Sequence, residues 1–113
     1  SIMATTYTWA VNTLERTTAD GIVYTVHYTV NANDGTYEKG AYGSIGLDAP
    51  AEGDPVIAFA DLTKETCVQW VKDKLNEGEA GVDAIESALQ DQLDEMTSPT
   101  RASGVPDSWT AAE

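Results

Sequence analysis

The chain has 113 residues, a length that suits one domain with one thin core. Its 19 acidic and 6 basic residues give a formal net charge of −13, which opposes binding to nucleic-acid phosphates and to anionic membranes. Cys67 is the only cysteine, so an internal disulfide is excluded, and no apolar run approaches the ~18 residues of a membrane span. The simplest interpretation of the charge is a solvated surface, and basic proteins are the partners it permits.

The N-terminus lacks the basic and apolar regions of a signal peptide, so we expect a cytoplasmic protein. Residues 1–2 read as a cloning remnant before a natural start at Met3.

The first half of the chain alternates between apolar and polar residues, as half-buried antiparallel strands do. Asp-Gly pairs at positions 20–21 and 34–35 flank the clearest alternation and suit the positive φ of tight hairpin turns. These features predict a β-meander. The first strand presents Tyr7, Trp9 and Val11 on one face, and the second presents Ile22, Tyr24, Val26, Tyr28 and Val30.

The third predicted strand, residues 36–47, is less regular than the first two. Its glycines at positions 40, 43 and 46 indicate a bulge, a bend or a closely approaching neighbour, and we expect a twisted strand over which a helix passes. Residues 48–55 are rich in proline, glycine and acid and are expected to form a loop. Residues 56–60 favour a short fourth strand.

The second half of the chain changes to a helical period. Thr63 is suited to cap a helix that Gly78 would end. Pro99 prevents a second helix from continuing much past Thr97. The apolar stripes of the two helices are Cys67, Val68, Val71 and Leu75, and then Val82, Ile85, Leu89, Leu93 and Met96.

The predicted class is therefore α+β, with an antiparallel β-meander of three to four strands packed against two C-terminal α-helices. Residues 3–97 form the single domain, and residues 98–113 form a tail that is either flexible or docked.

No pattern of residues predicts a catalytic, cofactor or metal site. His27 is interpreted as a structural or surface histidine, because no spacing brings it partners. Cys67 lies on the apolar stripe and is interpreted as a small buried hydrophobe rather than a nucleophile. Asn33, Asp34 and Gly35 do not align with an EF-hand loop and suit a hairpin turn. The glycine triplet lacks the spacing of a dinucleotide-binding loop.

Aromatic residues are the candidate interface, since aromatic side chains are favoured anchors of protein contacts. Trp109 stands in an otherwise polar tail, so it is exposed, folded back onto its own chain, or docked on another subunit. The candidate interface residues are Trp9, Tyr24, Tyr28, Trp70 and Trp109.

Several short motifs together resemble a family of small uncharacterised proteins of tailed bacteriophages, especially marine and cyanobacterial phages. The motifs are Trp9, Leu14-Glu15-Arg16, Asp20-Gly21, Val23-Tyr24-Thr25, His27-Tyr28, Asp34-Gly35-Thr36-Tyr37, Ala41-Tyr42-Gly43-Ser44, Asp61-Leu62-Thr63, Trp70-Val71-Lys72 and Gly104-Val105-Pro106. The resemblance covers most of the chain from Met3 to Trp109 and implies a phage protein with no activity to transfer. Members of that family often end in proline-tryptophan, whereas Asp107 and Ser108 separate Pro106 from Trp109 here.

Two functions are favoured, and a third, an enzyme, would require His27 or Cys67 to meet carboxylates in a cleft. The first is a non-enzymatic phage protein that acts through protein–protein contacts as a virion component or assembly factor, self-associating, with a dimer the favoured state. The second is an acidic accessory regulator that binds a basic site on a host protein, since residues 78–99 contain no lysine or arginine. Host cytoplasm or virion is the expected location, without cofactors.

Overall fold

The computed structural model describes residues 4–79 and 81–109. The predicted cloning remnant, Met3 and the last residues of the tail lie outside this range. In chain order the elements are β1 (Thr6–Arg16), β2 (Val23–Asn33), β3 (Glu38–Gly46), a 3₁₀ turn (Phe59–Asp61), α1 (Lys64–Leu75), α2 (Val82–Thr97) and a second 3₁₀ turn (Asp107–Trp109). The predicted α+β class with two C-terminal helices is confirmed.

The sheet is an antiparallel meander of three strands in the order β1-β2-β3. Both predicted hairpin glycines adopt positive φ, 72° at Gly21 and 95° at Gly35. Asp34 closes the second hairpin by accepting hydrogen bonds from the backbone N–H groups of Thr36 and Tyr37, at 2.9 and 2.8 Å. These bonds lower the pKa of the Asp34 carboxyl, the one from Tyr37 contributing most.

Strand β2 carries the core on one face, but its alternation breaks at its start. Val26, Tyr28 and Val30, which share one predicted face, are buried. Tyr24 is 48% exposed instead of buried, and Val23 takes its place inside. The cause is an irregularity in the β1–β2 register, where Glu15 pairs with Thr25 but Arg16 pairs with Val23. Such a bulge leaves one residue unpaired and re-aims the side chains beyond it.

The glycine at position 43 makes room for a core aromatic ring. Tyr28 lies directly opposite Gly43 in the sheet, and a Cβ there would stand 2.6 Å from the Tyr28 hydroxyl oxygen. The Tyr28 ring also stacks on Trp9, with centroids 5.7 Å apart. The close neighbour at Gly43 is therefore this ring from the adjacent strand, whereas the prediction was a helix.

The predicted fourth strand is wrong. Within residues 4–79 and 81–109, positions 56–58 are irregular and Phe59–Asp61 forms a 3₁₀ turn. The β-branched Val56 and Ile57 favour a strand locally, but they follow Pro55 and lie about half exposed in a loop.

Helix α1 begins as predicted. The Thr63 side chain caps it by accepting a hydrogen bond from the Thr66 N–H at 3.2 Å. Its end differs from the prediction, because Asn76 is the C-cap and Gly78 is not among the glycines with positive φ. Cys67 is 2% exposed, as expected of a buried hydrophobe, and burial raises the pKa of its thiol.

Helix α2 covers the core face of the sheet with Leu89 and Leu93, which are fully buried beside Val26 and Val30. Its direction is fixed by its contacts with β1. Glu86 reaches Trp9, whereas Gln90, one turn later, accepts hydrogen bonds from Thr5 and Tyr7. The helix therefore runs antiparallel to β1 and heads toward the end of the sheet where β1 begins and β2 ends.

Candidate functional site

The structure separates the five predicted interface aromatics. Trp9 and Tyr28 pack inside, under the helices, where burial raises the pKa of the Tyr28 hydroxyl. Trp70 is half-buried on α1. Only Tyr24 and Trp109 are exposed, and at 72% Trp109 has the greater exposure.

Trp9 is half-buried, and both its indole N–H and its ring face have partners. Its Nε1–H donates to a carboxylate oxygen of Glu86 at 2.9 Å, and the Lys72 ammonium lies 5.5 Å from the ring centroid. The apolar ring, the carboxylate and the cation therefore complement one another, as expected of tryptophan at a contact. Trp9 thus secures α1 and α2 to the sheet and is not free for a partner.

A groove of about 390 Å³ opens at the end of the sheet where β2 begins and β3 ends. Loop residues after β3 form one wall, and α1 forms the other. Val56 and Ile57, the residues of the wrongly predicted strand, are 55% and 47% exposed and lie along it. The apolar side chains that line the groove include Pro50, Pro55, Val56, Ile57, Leu62 and Trp70.

The rim of this groove is acidic around one lysine. The Lys74 ammonium donates to Asp48 at 2.8 Å and to Glu77 at 3.4 Å. The hydrogen bond to Asp48 is the main cause that raises the pKa of Lys74. Asp73 adds a further carboxylate, so the rim has three acids for one base. An apolar floor with hydrogen-bond acceptors around it suits a neutral or cationic segment with an aromatic side chain.

The tail leaves α2 at the opposite end of the molecule. Glu95 accepts hydrogen bonds from the Thr100 hydroxyl and N–H, both at 2.6 Å, and from the Arg101 N–H at 3.3 Å. The Thr100 hydroxyl is the main cause that lowers the pKa of Glu95. Beyond this tie, Val105 is 52% exposed and Trp109 is 72% exposed on a 3₁₀ turn. Within the described residues, the tryptophan is therefore not docked on its own chain.

The uncovered face of the sheet carries a polar network around His27. Its Nε2 lies 2.7 Å from Glu15 Oε2 on β1, and its Nδ1 lies 2.6 Å from Ser44 Oγ on β3. The Tyr42 hydroxyl lies 3.4 Å from the same Nδ1. Sequence reasoning missed these partners, because strand pairing joins positions 12 and 17 residues from the histidine. The only available signal was that polar residues alternate along each strand and would therefore share one face of the sheet.

This network has the carboxylate–imidazole–hydroxyl order of a proton relay. Nucleophilic catalysis needs, in addition, a site that holds the reacting carbonyl near the hydroxyl and donors for the developing oxyanion. The groove lies at the end of the sheet, and none of Glu15, His27 and Ser44 lines it. The network therefore cross-links the three strands.

Metal-binding clusters and membrane-spanning helices are both absent from residues 4–79 and 81–109. Among them, no group of three or more His, Cys, Asp or Glu side chains is placed to hold a metal ion. None of the helices found there is long and apolar enough to cross a membrane.

Residues 4–109 match the protein family described as a domain of unknown function (DUF7936). The chain belongs to this family. The match spans the sheet, both helices and the tail through Trp109, so in this DUF7936 protein the groove and the exposed tryptophan both lie within the matched segment. No curated protein and no solved structure matches the chain. The family description names no activity, and the bacteriophage origin stays a prediction.

Proposed function

We propose that this DUF7936 protein is a non-enzymatic phage protein that works by protein–protein contact, as a virion component or assembly factor, and that it self-associates. The observation that carries the proposal is the exposed apolar end of the tail, where Trp109 is 72% and Val105 is 52% exposed.

Trp109 and Val105 are exposed, whereas the other two tryptophans pack within the fold. Trp9 is stacked and hydrogen-bonded, and Trp70 packs against the core. Full burial of a large apolar side chain is worth about 1.5–3 kcal/mol, so a tail that holds Trp109 in water forgoes a gain that a partner surface would supply. Buried tryptophans are also among the strongest anchors of interfaces.

The resemblance to phage proteins supports a role in the virion or its assembly, with the host cytoplasm or the virion as the location. Mass spectrometry of purified virions, with sedimentation of the purified chain over a dilution series, tests this role. We expect the protein in virions and a concentration-dependent increase in mass. A strict monomer that is missing from virions would contradict the proposal.

A second function, an acidic regulator that occupies a basic site on a host protein, draws on the solvent face of α2. Asp83 and Asp91 are exposed there, and the surrounding residues 78–99 contain no basic side chain. Such a face speeds encounter with a basic partner at low salt. Capture from host lysate with the wild type and an Asp83→Asn/Asp91→Asn variant tests it. A regulator would retain one basic protein at low salt, and neutralisation would weaken that capture. Equal capture by both variants would contradict it.

A further inference from the structure

We propose that the groove at the start of β2 is the binding site for the tail of a second copy of this chain, with Trp109 as its anchor. This inference rests on the proposed self-association and adds the two surfaces that make the contact.

The groove and the tail lie at opposite ends of one molecule. The groove is bounded by Val23, at the start of β2, and by Leu47, just after β3. Helix α2 runs the other way, from Glu86 beside Trp9 to Gln90 beside Thr5, which lies next to the end of β2. The 11 residues of β2 span about 36 Å at ~3.3 Å each, and the molecule is 75 Å long. A tail that departs from one end thus points toward a neighbour.

Size and polarity match between the groove and the tail. A volume of about 390 Å³ accommodates an indole with a neighbouring valine or proline side chain, which residues 105–109 supply. Trp70 and Ile57 offer an apolar wall for the ring. The rim carboxylates lie beside Trp70 and can accept the Trp109 Nε1–H, as Glu86 accepts that of Trp9 within the fold.

Charge also favours the tail of a second copy, rather than another part of its surface, as the segment that binds in the groove. The chain carries a net charge of −13, so two copies repel each other over most approaches. Residues 98–109 contain one base, Arg101, and one acid, Asp107, and are formally neutral. This segment brings no net charge to a rim formed by Asp48, Asp73 and Glu77.

Because the tail and the groove lie at opposite ends of the molecule, two copies can pair side by side in opposite directions. Each tail then enters the partner's groove, and both contacts are satisfied in a closed dimer. Closed two-fold dimers are the commonest homo-oligomers, and reciprocal exchange of a segment is a low-cost route to them.

The test uses two variants of the full chain that disable different halves of the contact. Trp109→Ala removes the anchor and leaves the groove intact. Ile57→Glu places a charge in the groove and leaves the tail intact; this loop side chain is 47% exposed, so the core is not disturbed. Tyr42→Ala is the matched control, because Tyr42 is an aromatic residue with a similar exposure of 69% on the uncovered sheet face.

Sedimentation equilibrium should show a dimer for the wild type and for Tyr42→Ala. Trp109→Ala and Ile57→Glu should each raise the dimer dissociation constant by roughly 1,000-fold, because a dimer of either variant loses one interface hot spot of about 2 kcal/mol at each of its two contacts. Their circular dichroism spectra should match that of the wild type. Their urea midpoints should also match it at protein concentrations far below the dimer dissociation constant, where association adds nothing to stability, and this shows that the fold is retained.

Complementation between the two variants is the decisive measurement. In a mixture, the intact tail of Ile57→Glu can enter the intact groove of Trp109→Ala, so an affinity tag on one variant should retain the other. Tagged Trp109→Ala should not retain untagged Trp109→Ala. Absence of the mixed complex, or an unchanged dimer for either variant, would overturn the inference.

These results separate the inference from the proposed function. A dimer that resists both substitutions contradicts the tail–groove contact and leaves self-association standing. A wild-type monomer overturns the inference, and the presence or absence of the protein in virions then decides the virion role.

Discussion

Substitution of Gly43 by alanine tests how the sheet accommodates its core aromatic residue. The new Cβ would stand 2.6 Å from the Tyr28 hydroxyl oxygen and 2.7 Å from its ring carbon Cζ. Real Cβ atoms do not tolerate such distances, so the ring must shift. It cannot do so freely, because it is 8% exposed and stacks on Trp9. The expected result is loss of stability without loss of fold.

The magnitude follows from two opposing effects. Overpacking of a well-packed core costs about 1–3 kcal/mol. Replacement of glycine by alanine in a strand recovers about 0.5 kcal/mol, because the unfolded chain loses freedom. We therefore expect Gly43→Ala to lower the free energy of unfolding by about 1–2 kcal/mol. Gly40→Ala, on the same strand, should change it by less than ~0.5 kcal/mol, because its Cβ would meet only the Val30 carbonyl oxygen at 3.6 Å.

Urea unfolding followed by far-ultraviolet circular dichroism measures both variants. The midpoint of Gly43→Ala should fall by roughly 0.5–1 M with an unchanged slope. In a Tyr28→Leu background, the same substitution should cost no more than Gly40→Ala, because the obstructing ring is gone. Equal costs for Gly43→Ala in both backgrounds would refute the steric explanation.

Three further outcomes are expected. Leu89→Ala removes a side chain that is 1% exposed and should cost about 2–5 kcal/mol in urea unfolding; a cost below 1 kcal/mol would contradict its place in the core. The folded pKa of Asp34 is lowered, so its ionised form stabilises the fold above the unfolded pKa of about 4 and this contribution is lost as pH falls through the folded value. The stability gap between the wild type and Asp34→Asn should therefore close in acid, and a gap independent of pH would contradict the turn geometry. Cys67 is buried with a raised thiol pKa, so Ellman's reagent should react slowly until urea unfolds the chain, and rapid labelling of the native protein would contradict its burial.

Much of the architecture could be predicted from the sequence, because it depends on interactions between residues close together in the chain. Alternation with period two, the Asp-Gly pairs at the hairpins and the Thr63 cap depend on near neighbours in the chain. The seam of α2 places Leu89 and Leu93 in the core for the same reason. The three strands and two helices predicted by these rules formed with their expected types.

Local preference failed where it competed with another local signal. Val56 and Ile57 favour a strand by their branching, yet Pro55 precedes them and they lie in the loop that walls the groove. Gly78 suited a left-handed helix end, but Asn76 ends α1 and donates its backbone N–H to the Lys72 carbonyl oxygen. Two signals of similar strength cannot be ranked from the sequence.

Tertiary pairing decided what the candidate sites became. A one-residue slip between β1 and β2 turned Tyr24 outward and Val23 inward, because strand parity depends on register rather than on composition. Trp9, predicted at an interface, instead found Glu86, 77 residues away, and became internal. Trp109 found no such partner within the described residues and stayed 72% exposed. The sequence determined that aromatic residues recur along an acidic chain. Only the meeting of distant segments decided that Trp9 packs within the fold while Trp109 stays exposed.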